Sequence, residues 1–302
     1  MDGHLFDDLA ERGLDVFAYA APVIGESGVG VREHELVTPA SVMKIQVALA
    51  LENLIDEGRV RGTDRRIMLA ESRTPGPVGM SLMRDEVVMS VCDLVVAMLT
   101  ISDNVATDEL IDVAGLDYIN SFTRALGLDQ TWLAANLQQT LDDIAREVGF
   151  TDYRSLTDHE PERDGPPAWG EVSRRIESSM GLDPIFGSRT TPHEMTTLLQ
   201  TLWSDRATTP RACATVRRHM SHQLARARIA SGFDTSVTVA AKSGALLKVV
   251  RNEVGVVTYL DGSAYAVAVF TRQHHDNAID VGQVDTAIGQ VARTLVEELH
   301  NN

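Results

Sequence analysis

Three short groups of residues in this chain have the types and order needed to transfer an acyl group. Ser41-Val42-Met43-Lys44 sets a hydroxyl and an ammonium three residues apart at the start of an apolar periodic segment, so on a helix they share a face. A serine hydroxyl is a weak nucleophile until a base takes its proton. A lysine becomes that base when burial and neighbouring cations lower its pKa enough to populate the neutral amine. The helix N-terminus adds partial positive charge beside a developing oxyanion. Ser-x-x-Lys alone is common, but two further groups follow it in order: Ser102-Asp103-Asn104 after an apolar stretch, and Lys242-Ser243-Gly244 on a strand near the C-terminus. The set predicts a serine hydrolase working through an acyl-enzyme, with Ser41 as nucleophile and Lys44 as its proton acceptor.

The elements that must position these residues can be read from periodicity. Residues 4–13 suit a short helix, and 14–20 a strand that turns through Gly25, Gly28 and Gly30 into a second strand over 29–37. From Ser41 to the stop at Gly58 a broad apolar face predicts a helix enclosed on most sides. Residues 64–80 are turn-rich, and 87–101 read as a buried helix capped by Asp85 or Glu86. Helices are expected over 104–113, 117–126 and 137–148, then from Thr191-Pro192 onward and over 210–229. Strands are expected over 236–241, 248–260 and 263–271, the last two joined at Asp261-Gly262, with a final helix over 279–299. The fold class is therefore α+β. An antiparallel sheet comes from both chain termini, 1–40 and 230–302, with an inserted all-helical region, 41–229, in which 151–190 forms an exposed loop.

Composition narrows the function classes. A chain of 302 residues, 44% hydrophobic, closes a substantial core. Its 27 basic and 43 acidic residues leave a net charge of −16, which argues against a nucleic-acid partner. The acidic start Met1-Asp2-Gly3-His4 lacks the basic region of a secretory signal, so a cytoplasmic location is expected. The apolar stretch 87–101, broken by Asp93, is too short to span a bilayer, so no membrane association is expected. Cys92 and Cys213 read as core residues. His274-His275-Asp276 reads as a turn, not a metal site, and Gly25, Gly28 and Gly30 lack dinucleotide-loop spacing. No metal or cofactor is expected.

Taken as an ordered set, the three motifs resemble those of the penicillin-binding proteins and class A β-lactamases. Thr38-Pro39-Ala40-Ser41 and Arg189-Thr190-Thr191-Pro192 are similar to class A as well, and some 60 residues separate the first two motifs, as in the family. The resemblance implies a β-lactamase/transpeptidase-like fold and a small amide or ester substrate, one bearing a carboxylate. It assigns acylation to Ser41, proton acceptance to Lys44 and proton transfer toward the leaving group to Ser102. Asn104 would bind the acylamide side chain and help hold Lys44. Lys242 and Ser243 would face the carboxylate, Gly244 would let the substrate lie against the strand, and the Ser41 and Ala245 N–H groups would form the oxyanion hole. Class A enzymes also carry Glu-x-x-Leu-Asn about a dozen residues before the Arg-x-Thr-Thr region, its glutamate activating the deacylating water. Here Glu177 stands at that distance without the Leu-Asn partners, which makes it the weak candidate for a deacylation base and implies impaired release of β-lactams. A DD-peptidase, an esterase, a biosynthetic amidase and a catalytically inactive binding protein of the same fold are the alternatives.

Overall fold

Both ends of the chain build one antiparallel sheet, and the middle folds against it as helices with one two-stranded sheet, so the inserted region expected to be all-helical holds a pair of strands as well. The computed structural model describes residues 3–25, 27–274 and 279–301; His275 and Asp276, read above as part of a turn, lie outside them. Helix α1 (Gly3–Glu11) leads into β1 (Leu14–Pro22) and the short β2 (Val29–Val31). A 3₁₀ turn, Ala40–Met43, runs directly into α2 (Lys44–Asp56). The paired strands β3 (Arg65–Met68) and β4 (Val87–Ser90) precede α3 (Val91–Thr100), α4 (Asn104–Ala114), α5 (Leu116–Ala125) and α6 (Leu137–Glu147). Short helices α7 (Tyr153–Thr157), α8 (Pro161–Asp164) and α9 (Trp169–Glu177) come before α10 (Pro192–Trp203) and α11 (Pro210–Ser221). The chain closes with β5 (Thr238–Leu246), β6 (Val250–Thr258), β7 (Ala264–Gln273) and α12 (Val281–His300).

Strand order is β2-β1-β7-β6-β5, so N-terminal β1 lies beside C-terminal β7. The near-continuous apolar run of β7 follows from cover on both faces. Alternate residues Ala266, Ala268 and Phe270 join the core shared with α2, α3, α4 and α10, while Val267 and Val269 join a second core with Leu9 of α1 and the apolar face of α12. Helix α2 is enclosed as expected: even Lys44, Gln46 and Glu52 are buried.

Several boundaries differ from expectation for identifiable reasons. The stretch 87–101 divides into β4 and α3, because its first residues pair with β3; Ser90, not Asp85 or Glu86, caps α3 by accepting from Asp93 N. Helix α11 stops at Ser221, short of the expected 229, as the following segment turns Arg226 and Arg228 inward onto strand carbonyls, Val239 O and Gly244 O. Strand β5 continues to Leu246, so Lys242, Ser243 and Gly244 lie within it. The segment read as an exposed loop over 151–190 carries α7, α8 and α9, with Val172 and Ile176 of α9 buried against Ile144 and Ala145 of α6.

The 3₁₀ turn bearing Ser41 is pressed against the edge strand β5. A Cβ on Gly244 would stand 2.9 Å from Pro39 O, 3.1 Å from Ser41 N and 3.2 Å from Val42 N. Gly244 thus makes room for the nucleophile's own backbone. From β6, the wholly buried Asn252 donates its Nδ2 to Thr38 O (2.9 Å) and Pro39 O (3.1 Å) and accepts from Thr271 N at Oδ1 (3.1 Å). Val37 and Thr190 exchange backbone hydrogen bonds of 2.9 and 3.0 Å on the approach to the turn. Gly244→Ala is expected to push the turn off β5 and to lower unfolding stability by about 1–3 kcal/mol, the usual cost of overpacking. Chemical denaturation checks this, and an unchanged midpoint would mean that the contact yields freely.

Candidate active site

The loop between α3 and α4 carries Ser102 in the left-handed region, at φ 61°. For a residue with a Cβ that conformation costs about 1–2 kcal/mol, and Asp103 sustains it. Its Oδ1 caps α4 by accepting from Ala106 N (2.9 Å), and its Oδ2 accepts from Met80 N (2.7 Å). So fixed, Ser102 presents both of its oxygens to Lys44, whose Nζ lies 2.8 Å from Ser102 O and 3.2 Å from Ser102 Oγ. Asn104 Oδ1 accepts from the same Nζ at 3.0 Å, while Asn104 Nδ2 donates to Pro75 O at 2.9 Å. Lys242 reaches the same hydroxyl from the sheet, donating to Ser102 Oγ (3.0 Å) and Ser243 O (2.8 Å).

Both lysines are fully buried. Burial lowers the pKa of Lys44 to about 7, outweighing the attraction of Asp103 and Asp108. Lys242 is held well below its ordinary range, first by burial and then by the charge of Lys44, with Glu253 opposing. Two ammonium ions on one hydroxyl repel, so the geometry favours a neutral amine in this pair. Neutral Lys44 can keep donating to Ser102 O and Asn104 Oδ1 while its lone pair accepts a hydroxyl proton.

Ser41 opens onto a pocket that Asn104 and Ala245 also line. Ser243 N donates outward from the edge strand to Gln223 Oε1 (2.5 Å), so strand alternation turns the Ala245 N–H to that same edge, toward the pocket. Leu137, the first residue of α6, lines the same pocket. Its position is fixed by Asp108, whose carboxylate accepts from Leu137 N and Gln138 N, both at 2.8 Å. Glu177 is elsewhere. It lies at the end of α9, accepts from His274 Nδ1 at 3.0 Å and lines a separate cleft with Lys248 and His274.

The segment reaching the site from α6 is closed at its neck by Trp132 and Arg189, which exchange two 2.9 Å backbone hydrogen bonds. Beside them Thr131 Oγ1 meets Thr190 Oγ1 at 2.8 Å. Both ends of this segment reach the pocket beside Ser41, Leu137 from near its start and Gly181 and Ser188 from near its end, but Glu177 does not line it. Sequence reasoning missed Asp108, Leu137, Asn252 and Glu253. Asn252 and Glu253 did leave a trace, a polar run with Arg251 ahead of the apolar stretch of an interior strand; Glu253 accepts from Gln223 Nε2 (2.9 Å) and Ile229 N (2.6 Å). Leu137 left none, because an apolar first residue of an amphipathic helix signals only burial.

Among the described residues no group of three or more His, Cys, Asp or Glu is arranged to hold a metal, and no helix is long and apolar enough to cross a membrane. Over 98% of its length the chain is 28% identical to the beta-lactamase regulatory protein BlaB of Streptomyces cacaoi, covering 96% of that protein. Its fold is similar to that of a beta-lactamase from Sphaerobacter thermophilus, with a TM-score of 0.76 at 24% identity, covering 99% of this chain and 97% of that one. It is also similar to a mutant of PBP-A, solved as an acyl-enzyme complex with penicillin G, with a TM-score of 0.74 at 19% identity over 99% and 96% of the two chains. The family model described as "Beta-lactamase enzyme family" matches residues 13–299, and the chain belongs to that family.

Proposed function

We propose that this protein is a serine hydrolase that forms an acyl-enzyme on Ser41 quickly and releases it slowly. The observation that carries the proposal is the single hydroxyl, Ser102 Oγ, held between two buried lysines, one of which, Lys44, follows Ser41 by three residues. Neutral Lys44 takes the Ser41 proton as Oγ bonds to the carbonyl carbon of an ester or amide. The carbonyl oxygen gains the electron pair and rests on the N–H groups of Ser41 and Ala245. As the tetrahedral species collapses, the bond to the leaving oxygen or nitrogen breaks and that atom takes the Ser102 proton. Lys44 then returns its proton to Ser102 Oγ. Lys242 keeps Ser102 oriented, and Ser243 on the same edge strand is the contact for a substrate carboxylate. Water later completes hydrolysis, its oxygen going to the acyl group and a proton to Ser41.

That last step is where the site is poor. A deacylating water needs a base within hydrogen-bond reach, and the first residue of α6 to line the pocket is Leu137. We place Glu177 outside the reaction, because its carboxylate is bound to His274 in another cleft. A second reading is favoured by the relative named as a beta-lactamase regulatory protein. A long-lived adduct on Ser41 would then be a signal, formed by the same acylation chemistry.

Intact-mass measurement after mixing with benzylpenicillin is expected to show a persistent adduct on the native protein and none on Ser41→Ala. Leu137→Glu should shorten its lifetime at least about a hundredfold, the lower end for a positioned general base, while Glu177→Gln leaves it unchanged. Rapid loss of the adduct in the native protein, abolished by Glu177→Gln, would return Glu177 to the mechanism.

The acylation rate is also expected to depend on pH through Lys44. The base must be neutral, so the rate should fall about tenfold per unit below the pKa of about 7 and level off above it. Stopped-flow acylation with a chromogenic ester across the range from acid to alkaline pH measures this. A midpoint in the range of an ordinary lysine would remove Lys44 as the base.

A further inference from the structure

The pocket beside Ser41 carries no ionisable side chain on its lining. Its far wall is one face of α6, Leu137, Thr140 and Leu141, at the i, i+3 and i+4 positions that fall together on a helix. Ala135 and Leu246 extend that surface. The polar side chains there are already engaged with the protein. Thr140 Oγ1 donates to Asn136 O (2.8 Å), Thr38 Oγ1 to Leu182 O (2.9 Å), and Ser188 Oγ accepts from Ala134 N (3.0 Å). Asn104 is engaged at both ends, by Lys44 and Pro75. The free chemistry of the pocket is thus Ser41 Oγ and an aliphatic wall.

Ser102, Lys242 and Ser243 do not line this pocket. Since Ser102 protonates the leaving atom, the leaving group lies on their side and the acyl chain on the side of α6. From this placement we infer that the acyl group accepted by the enzyme is uncharged and apolar, an aliphatic or arylacetyl chain seated against Leu137, Leu141 and Leu246. The inference rests on the acyl-transfer reading of Ser41 and names its substrate class. A carboxylate or ammonium on the acyl chain would lose its hydration against this wall without gaining a partner. An added methylene instead leaves water for a preformed apolar surface, which favours it about three- to fourfold.

The test is a series of p-nitrophenyl esters, acetate, butanoate, hexanoate and octanoate, together with the monosuccinate, each corrected for the rate with Ser41→Ala. Expected is a rise in kcat/KM of about threefold per methylene until the pocket is filled, and a succinyl ester slower than the butanoyl ester by at least about fiftyfold. Leu137→Asn and Leu246→Asn, made separately, should each flatten the dependence on chain length. Binding of acetamide through octanamide to Ser41→Ala, read by calorimetry, gives the same preference without chemistry. A flat ester series, or a succinyl ester as fast as the butanoyl one, overturns the inference while leaving acylation of Ser41 in place. Chain-length-dependent amide binding with no esterase activity would uphold the apolar pocket and overturn the acyl-transfer reading, and amides that bind without regard to length would overturn the pocket.

Discussion

The constraint on which the site depends is the burial of two amines against one hydroxyl. Lys44 and Lys242 are both inaccessible to water, and both reach Ser102 Oγ. Removing two cations from water at such proximity is too costly to sustain, and the molecule relieves it by weakening their basicity. Carboxylates are close enough to influence them, Asp103 and Asp108 toward Lys44 and Glu253 toward Lys242, yet none of these forms a direct ion pair with either amine among the described hydrogen bonds. A direct carboxylate partner would hold the lysine protonated. The neutral acceptors around Lys44, Ser102 O and Asn104 Oδ1, orient the amine without forcing a charge on it. A weak base can therefore exist in the core because its partners are amide and carbonyl oxygens.

Much of the surrounding fold serves to hold three chain segments at this point. The strained Ser102 is fixed by Asp103, which ties α4 to the loop before β4 through Met80 N. The nucleophile's turn is held by Asn252 and by the bare backbone of Gly244. Beneath it, Arg228 donates to Gly244 O and Asn252 O and is anchored to Asp285 of α12, which also binds Arg251. The buried arginine links the two strands that carry the turn to the helix on the opposite face of the sheet. Its stabilising value lies in being paired, since loss of one partner would leave an uncompensated buried charge.

Architecture and the residues proposed to carry acylation were legible in the sequence because each depended on short-range patterns. Strand alternation, the enclosed period of α2 and the ordered Ser-x-x-Lys, Ser-Asp-Asn and Lys-Ser-Gly groups all survive as local signals. What stayed illegible depended on where distant segments meet. The division of 87–101 into β4 and α3 required knowing that β3 would pair with its first half. Gly244 was read as making way for substrate, but its neighbour is Pro39 O, from the opposite end of the chain. The deacylation base was sought by counting back from Arg189 to Glu177, whereas the residues of this segment that line the pocket are Ala135, Leu137, Thr140, Leu141, Gly181 and Ser188.

This separation of parts explains how acylation and deacylation can diverge within one fold. Every group needed to form the acyl-enzyme comes from the seam between sheet and helices, where displacement would break the core. On the proposed reading, the group needed to activate water would come from the segment between Trp132 and Arg189, which is joined to the body at that neck and again where Arg272 donates to Glu177 O and Leu182 O. That segment packs Ile144, Ala145, Leu156, Val172 and Ile176 into a small core that Val250 of β6 completes, apart from the two larger cores. With Leu137 in its lining, the pocket offers an acyl chain a surface that favours binding and offers water no acceptor for its proton. On the proposed acyl-transfer reading, the same side chain would favour formation of the ester and disfavour its hydrolysis. Affinity for the acyl group and persistence of the adduct are, on this geometry, two consequences of one apolar contact.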